Sequence, residues 1–143
     1  VKKALESISF FFHPIPLLAV AIMALNDHYL KMAYPGMITG KLSDFMGVFY
    51  FPIFLCALVM LAQASLQGES ARLTLRLIVC SILFTDAIMI ALKLSSGFTL
   101  FIENFFARFL FEIRIWNDPT DLFALTMNEL TFFYLWRWMK RPA

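Results

Sequence analysis

The stretch Phe45-Met46-Gly47-Val48-Phe49-Tyr50-Phe51-Pro52-Ile53-Phe54-Leu55-Cys56-Ala57-Leu58-Val59-Met60-Leu61-Ala62 runs for 18 positions without a charged residue. A helix rising about 1.5 Å per residue needs about 20 mostly apolar residues to cross the hydrocarbon of a bilayer. Extended outward to residues 42–64, this stretch predicts one such span, with Pro52 removing a backbone donor near its middle. A soluble domain reading fails on composition. Of 143 residues, 61% are hydrophobic and only 15% charged, whereas soluble domains carry roughly 25% charge. A domain this small leaves too much of its area facing solvent to hide that much apolar surface.

Three further spans are predicted on the same grounds. The first covers 14–33, with Pro14 tolerated in the opening turn and Pro35-Gly36 ending it. The third covers 73–94, after the polar turn Gln67-Gly68-Glu69-Ser70 and before Ser95-Ser96-Gly97. The fourth covers 120–138 and closes among Trp136, Arg137, Trp138, Lys140 and Arg141, where interfacial aromatic and basic residues belong. Lys2 and Lys3 before an apolar stretch imitate a signal peptide, but Pro14 and Pro16 interrupt that stretch. It is expected to be retained as the first span.

Between the third and fourth spans, residues 98–116 have another pattern. Phe98, Ile102, Phe105, Phe106, Phe109, Leu110, Ile113 and Trp116 share one helical face, with Glu103, Asn104, Arg108 and Glu112 opposite. This predicts an amphipathic helix in the interface plane; a tilted fifth span is the alternative. The expected fold is all-α, a single four-helix transmembrane bundle plus one amphipathic interfacial helix.

Four spans put both ends of the chain on one side. Lys2, Lys3, Arg72, Arg76, Arg137, Lys140 and Arg141 share that side, against Lys31, Lys41, Lys93, Arg108 and Arg114 on the other. The excess of seven over five basic residues favours cytoplasmic ends. Net charge is +2, too little to suggest nucleic acid as a partner. Cys56 and Cys80 lie inside apolar runs, which fits small buried or lipid-facing side chains and not a disulfide framework. Gly36-Met37-Ile38-Thr39-Gly40 formally matches a helix-dimer motif but follows Pro35, which favours a turn.

The charged residues within the spans demand an explanation, because ionisable groups in hydrocarbon are costly. In this topology Asp27, His28, Lys31, Lys41, Asp44, Asp86, Lys93, Arg114 and Asp121 all lie toward the outer face. They predict an outward-opening polar pocket, with Lys31, Lys41, Lys93 and His28 as candidate partners for the buried Asp86. The plain alternative is a set of ion pairs that locks the helices together. Asp27, His28, Asp44 and Asp86 also make a drawable oxygen-and-imidazole metal site, but nothing in their spacing demands a metal. No cofactor fingerprint is present, no serine has a nucleophile context, and Ser43 suits an N-terminal helix cap.

Gly40-Lys41-Leu42-Ser43-Asp44-Phe45 opening the second span, Asp86 in the third, and Arg114 followed by Asp121-Leu122-Phe123-Ala124 opening the fourth together resemble the VanZ-like family of small bacterial membrane proteins. The likeness covers about residues 40–130. The order of lysine and aspartate is exchanged, Phe45 and Met46 stand where that family has histidine, Asn128 falls later than the family's asparagine, and its final glycine is missing. The resemblance implies a bacterial inner-membrane protein with a cell-envelope role. Three functions follow as expectations. The pocket binds the anionic head of a membrane lipid or envelope precursor; or the chain is an accessory subunit of a larger membrane protein complex; or Asp27, Asp44 or Asp86 serves as general acid or base in an intramembrane enzyme.

Overall fold

The computed structural model describes residues 6–67, 71–109 and 114–141. Among them every regular element is helical. The first helix, α1, begins at Pro14 with the His13 imidazole accepting from the Ile15 N–H at 3.4 Å. It runs over Pro14–Leu25, through a π turn at Asn26–Leu30, and ends with Lys31–Ala33. The π turn is closed by the Lys31 N–H reaching back five residues to the Asn26 carbonyl, which shifts the side-chain register of everything after it.

After a turn at Tyr34–Gly36, α2 (Met37–Gln67) starts earlier than the sequence suggests. The Thr39 hydroxyl explains the early start, donating to Tyr34 O at 2.8 Å and Gly36 O at 3.1 Å. Ser43 therefore lies well inside the helix and is not its cap. Of the formal glycine motif, Gly36 is in the turn and Gly40 in the helix.

The third helix, α3 (Leu75–Leu94), is opened by Thr74, whose hydroxyl accepts from the Leu77 N–H. A fourth, α4 (Ser96–Phe109), follows almost at once. The amphipathic helix expected over 98–116 does not continue through its last residues. Leu110, Glu112 and Ile113 lie outside the described residues, and Arg114 to Asp118 are non-helical. Two side chains hold that segment. Glu103 accepts from the Ile115 N–H at 2.6 Å, and the Asn117 amide donates to Leu92 O at 2.8 Å. The last element starts as a 3₁₀ helix (Pro119–Thr126), with Asp118 as its cap, and becomes α5 (Met127–Met139).

The long helix α2 is central, packing against α1, α3 and α5. One core of Ile8, Phe10, Cys56, Met60, Ile78 and Leu135 gathers where the chain's first described residues meet α5; there the Tyr134 hydroxyl donates to Phe10 O at 2.6 Å. A smaller core of Val48, Met89 and Ala124 lies toward the other end. Cys56 is buried and Cys80 exposed. Two helices, Met37–Leu66 and Leu75–Leu94, are long and apolar enough to cross a membrane. Only 39% and 28% of their most apolar windows are buried, so the rest of the described chain leaves most of that apolar surface uncovered.

Candidate functional site

The start of α2, the end of α3 and the start of the 3₁₀ helix meet at one end of the bundle. Asp44, Lys93 and Asp121 come one from each element, and Lys41, a turn before Asp44 on α2, joins these three. The small core lies directly beneath, because Val48, Met89 and Ala124 are the apolar residues one turn away from those three in sequence. This apolar floor dries the ion pairs above it.

Asp121 is the hub. One carboxylate oxygen takes Lys41 at 2.6 Å and the other takes Lys93 at 2.6 Å. Lys93 and Asp121 are both 6% exposed, which removes most of the screening that makes a surface pair weak. Lys93 also reaches Asp44 at 3.3 Å and Trp116 O at 3.4 Å. Lys41 extends the cluster outward to Thr120 at 2.5 Å and Asp118 at 3.3 Å. Asp118 also accepts from the hydroxyl and the backbone N–H of Thr120. Those two bonds, and then Lys41, hold its carboxyl down to about 2. Three carboxylates face two ammonium groups, so the cluster is net negative by one charge.

A second network ties α1 to α2. The π turn directs Asn26 inward, fully buried. Its amide donates to Thr39 O at 2.7 Å and to Ser43 Oγ at 2.8 Å. Ser43 in turn donates to Asp27 at 2.6 Å, and Lys31 pairs with the same carboxylate oxygen at 2.6 Å. The Asn26 Oδ1 atom is buried without a partner among the described residues.

Between these networks, a groove of about 480 Å³ opens among α1, α2 and α3. Ser43 and Asp44 stand at its polar end, and Met23, Gly47, Phe51 and Met89 are among the residues that make its apolar length. Asp44 is thus shared between the ion-pair cluster and the groove, and its one ion pair is the longer contact to Lys93.

The nine residues expected to ring one pocket separate into groups. Lys41, Asp44, Lys93 and Asp121 converge. Asp27 and Lys31 form the adjoining α1 network, and His28 lies exposed beside them. Asp86 takes none of the four basic partners expected for it and accepts from the Asn128 amide instead. Lys93 lies seven residues beyond Asp86, on the same face but nearer the end, and its ammonium turns outward to Asp121. Arg114 is exposed and makes no ion pair with the described residues. Among those residues no three His, Cys, Asp or Glu side chains are placed to hold a metal ion, so Asp27, His28, Asp44 and Asp86 do not assemble as one site.

Asn26, Ser43, Asp118, Thr120 and Asn128 complete the networks and were not among the nine. Asn26 and Asn128 carried a readable signal, as amides inside predicted spans. Comparison with family models, with curated proteins and with solved structures finds no match for this chain.

Proposed function

We propose that this is an integral membrane protein of four spans that holds an amphipathic lipid or envelope precursor, its tail in the groove and its head at Asp44 and Ser43. The two long apolar helices supply two spans. The continuous first helix adds 20 residues or about 30 Å. The 3₁₀ segment and α5 together add about 35 Å, enough for a hydrocarbon core of about 30 Å. The excess of basic residues on the side of Lys2, Lys3, Arg72, Arg76, Arg137, Lys140 and Arg141 supports cytoplasmic ends by the positive-inside rule. The polar clusters then lie at the outer face, in a bacterial inner membrane if the VanZ-like resemblance holds.

The observation that carries the lipid reading is the groove itself, apolar along its length and ending on a carboxylate and a hydroxyl. Its shape suits a tail, and its end suits a head that donates hydrogen bonds, an ammonium or sugar hydroxyls. Lys41 and Lys93 are held on Asp121 with side chains only 22% and 7% exposed, whereas Lys31, though paired with Asp27, is 41% exposed. An anionic part of the head therefore belongs at the more exposed Lys31 and His28, next to Ser43 and Asp27.

The test is purification of the full chain from membranes in mild detergent, with mass spectrometry of the lipids that stay bound. Wild type should enrich one lipid class about tenfold over the bulk membrane. Asp44→Asn removes the charged acceptor, and Gly47→Val fills the groove where a Cβ would meet only Met23 Sδ at 4.0 Å. Both should lose the enrichment. A bulk-like lipid profile in all three proteins would sink the reading. The alternative of an accessory subunit draws support from a different face of the molecule.

A further inference from the structure

Glu129 lies in the first turn of α5, about 15 Å from its Met139 end, and so near the middle of the combined 3₁₀ and α5 element. It is exposed and makes no ion pair or hydrogen bond with the described residues. On the same face, a cavity of about 380 Å³ runs between α3 and α5, lined by Val79, Ile82, Leu83, Asn128, Glu129 and Phe132. Asn128 lines it although only 9% exposed, and its Oδ1 has no partner. The Asn128 amide donates to Asp86, which follows Val79, Ile82 and Leu83 on the same stripe of α3. Val79, Leu83 and Phe132 present exposed apolar side chains around these groups. With α5 spanning a membrane, the Glu129 carboxylate faces lipid at mid-depth, where water is absent and ionised groups are expensive, and an amide oxygen unmatched among the described residues is buried beside it.

We propose that this α3–α5 face docks a transmembrane helix of another protein, one carrying a lysine or arginine at mid-membrane depth. The proposal rests on the membrane-spanning reading of α5 and not on the lipid groove. Charge complementarity selects the occupant. A basic side chain from a neighbouring helix would meet Glu129, beside the partly buried Asn128–Asp86 pair, while the apolar rim packs against that helix. The described long helices of a second copy do not supply such a group. Among the described residues of the long helices, Lys31, Lys41 and Lys93 lie within about one turn of the outer helix ends, and Arg76 and Arg137 within one turn of the inner ends. No pairing of two copies in a bilayer, parallel or antiparallel, brings any of them to mid-depth.

The experiment reconstitutes the labelled full chain in phosphatidylcholine vesicles with synthetic leucine-alanine helices. One peptide carries lysine at its centre, one leucine there, and one lysine a turn from its end; association is read by energy transfer. The central-lysine peptide should associate about tenfold more strongly than the other two. Glu129→Leu should abolish that preference, and Asp44→Asn should retain it even though it removes the proposed lipid-head acceptor. Equal association of all three peptides, or a preference that survives Glu129→Leu, overturns the proposal. So does energy transfer between two labelled copies of the chain that Glu129→Leu removes, because the occupant would then be a second copy. Depth is read in the same vesicles from Phe132→Trp, with Trp116, Trp136 and Trp138 replaced by phenylalanine, using lipids brominated deep in their chains. Strong quenching is expected; none would mean that α5 does not cross the membrane, and the docking face would fall with the four-span reading.

Discussion

The outer cluster and the α3–α5 face both carry carboxylates among apolar residues, and they treat them in opposite ways. At the outer cluster each carboxylate has an ammonium partner from another helix, and Asp121 has two. On the α3–α5 face Asp86 has an amide and Glu129 has nothing among the described residues. A charge satisfied inside its own chain contributes to the chain's architecture. A charge left unsatisfied at depth points to something outside the chain. The same residue type therefore marks structure in one place and association in the other.

The largest expected effect tests the first half of that contrast. Asp121→Ala leaves Lys93 buried with only its longer contacts to Asp44 at 3.3 Å and Trp116 O at 3.4 Å, and frees Lys41 from its closest carboxylate. Removing one member of a buried pair costs about 3–5 kcal/mol, to be read from denaturant unfolding in detergent micelles. A cost below about 1 kcal/mol, the range of exposed pairs, would show the cluster to be wet and would erase the contrast.

Glu129→Leu should move stability the other way. On the four-span reading, replacing a carboxylate that has no partner among the described residues should stabilise the isolated chain by about 2 kcal/mol, on the scale of the insertion penalty for such groups. The same unfolding measurement in lipid-containing micelles checks the sign. A destabilisation would mean that Glu129 has a partner within its own chain, and the two regions would then be alike.

How much of this could be read from the sequence follows the range of each interaction. The proline and glycine at Pro35-Gly36 and the serines at Ser95-Ser96 mark helix ends by local chemistry, and α1 and α3 end where they indicate. That Lys41, Asp44, Lys93 and Asp121 share one end followed from counting spans. Their pairing did not, because it depends on which helices touch. Asp86 shows the limit: its spacing to Lys93 was correctly read as one face, yet α5 brings Asn128 closer. The eight-residue 3₁₀ stretch was illegible for the same reason, since packing buries Asp121 and Ala124 and so decides the helical register. Glu129 stands alone in the middle of the fourth predicted span, and a lone charge with no oppositely charged residue at helical spacing offers no pattern to read.

A moderate effect sharpens the contrast from a third position. Asn26 is buried as completely as any charge in the outer cluster, and its amide makes two short bonds across α1 and α2. Asn26→Ala should cost about 1–2 kcal/mol, the net worth of two buried hydrogen bonds. It should also leave the groove's lipid retention weakened, since Ser43 loses the donor that orients it toward Asp27. A loss of stability with unchanged lipid retention would separate the α1 network from the groove.

The smallest effect belongs to the outer rim of the cluster. Asp118 lies before the last span, and its carboxyl is held at about 2 against an ordinary 3.8, first by the Thr120 hydroxyl and backbone N–H and then by Lys41. A carboxyl lowered on folding binds fewer protons folded than unfolded. Its contribution is therefore complete above about pH 4 and is lost as pH falls toward 2. Comparing wild type with Asp118→Asn, the difference in unfolding midpoint should be constant from pH 7 to about 5 and close between about pH 4 and 2. Thr120→Val, which removes the leading donor, should narrow that window from its acid side. Because Asp118 is well exposed, the difference should also shrink in high salt, whereas the cost of Asp121→Ala should not. A salt response shared by both residues would place the whole cluster in water, and the distinction between rim and buried hub would fail.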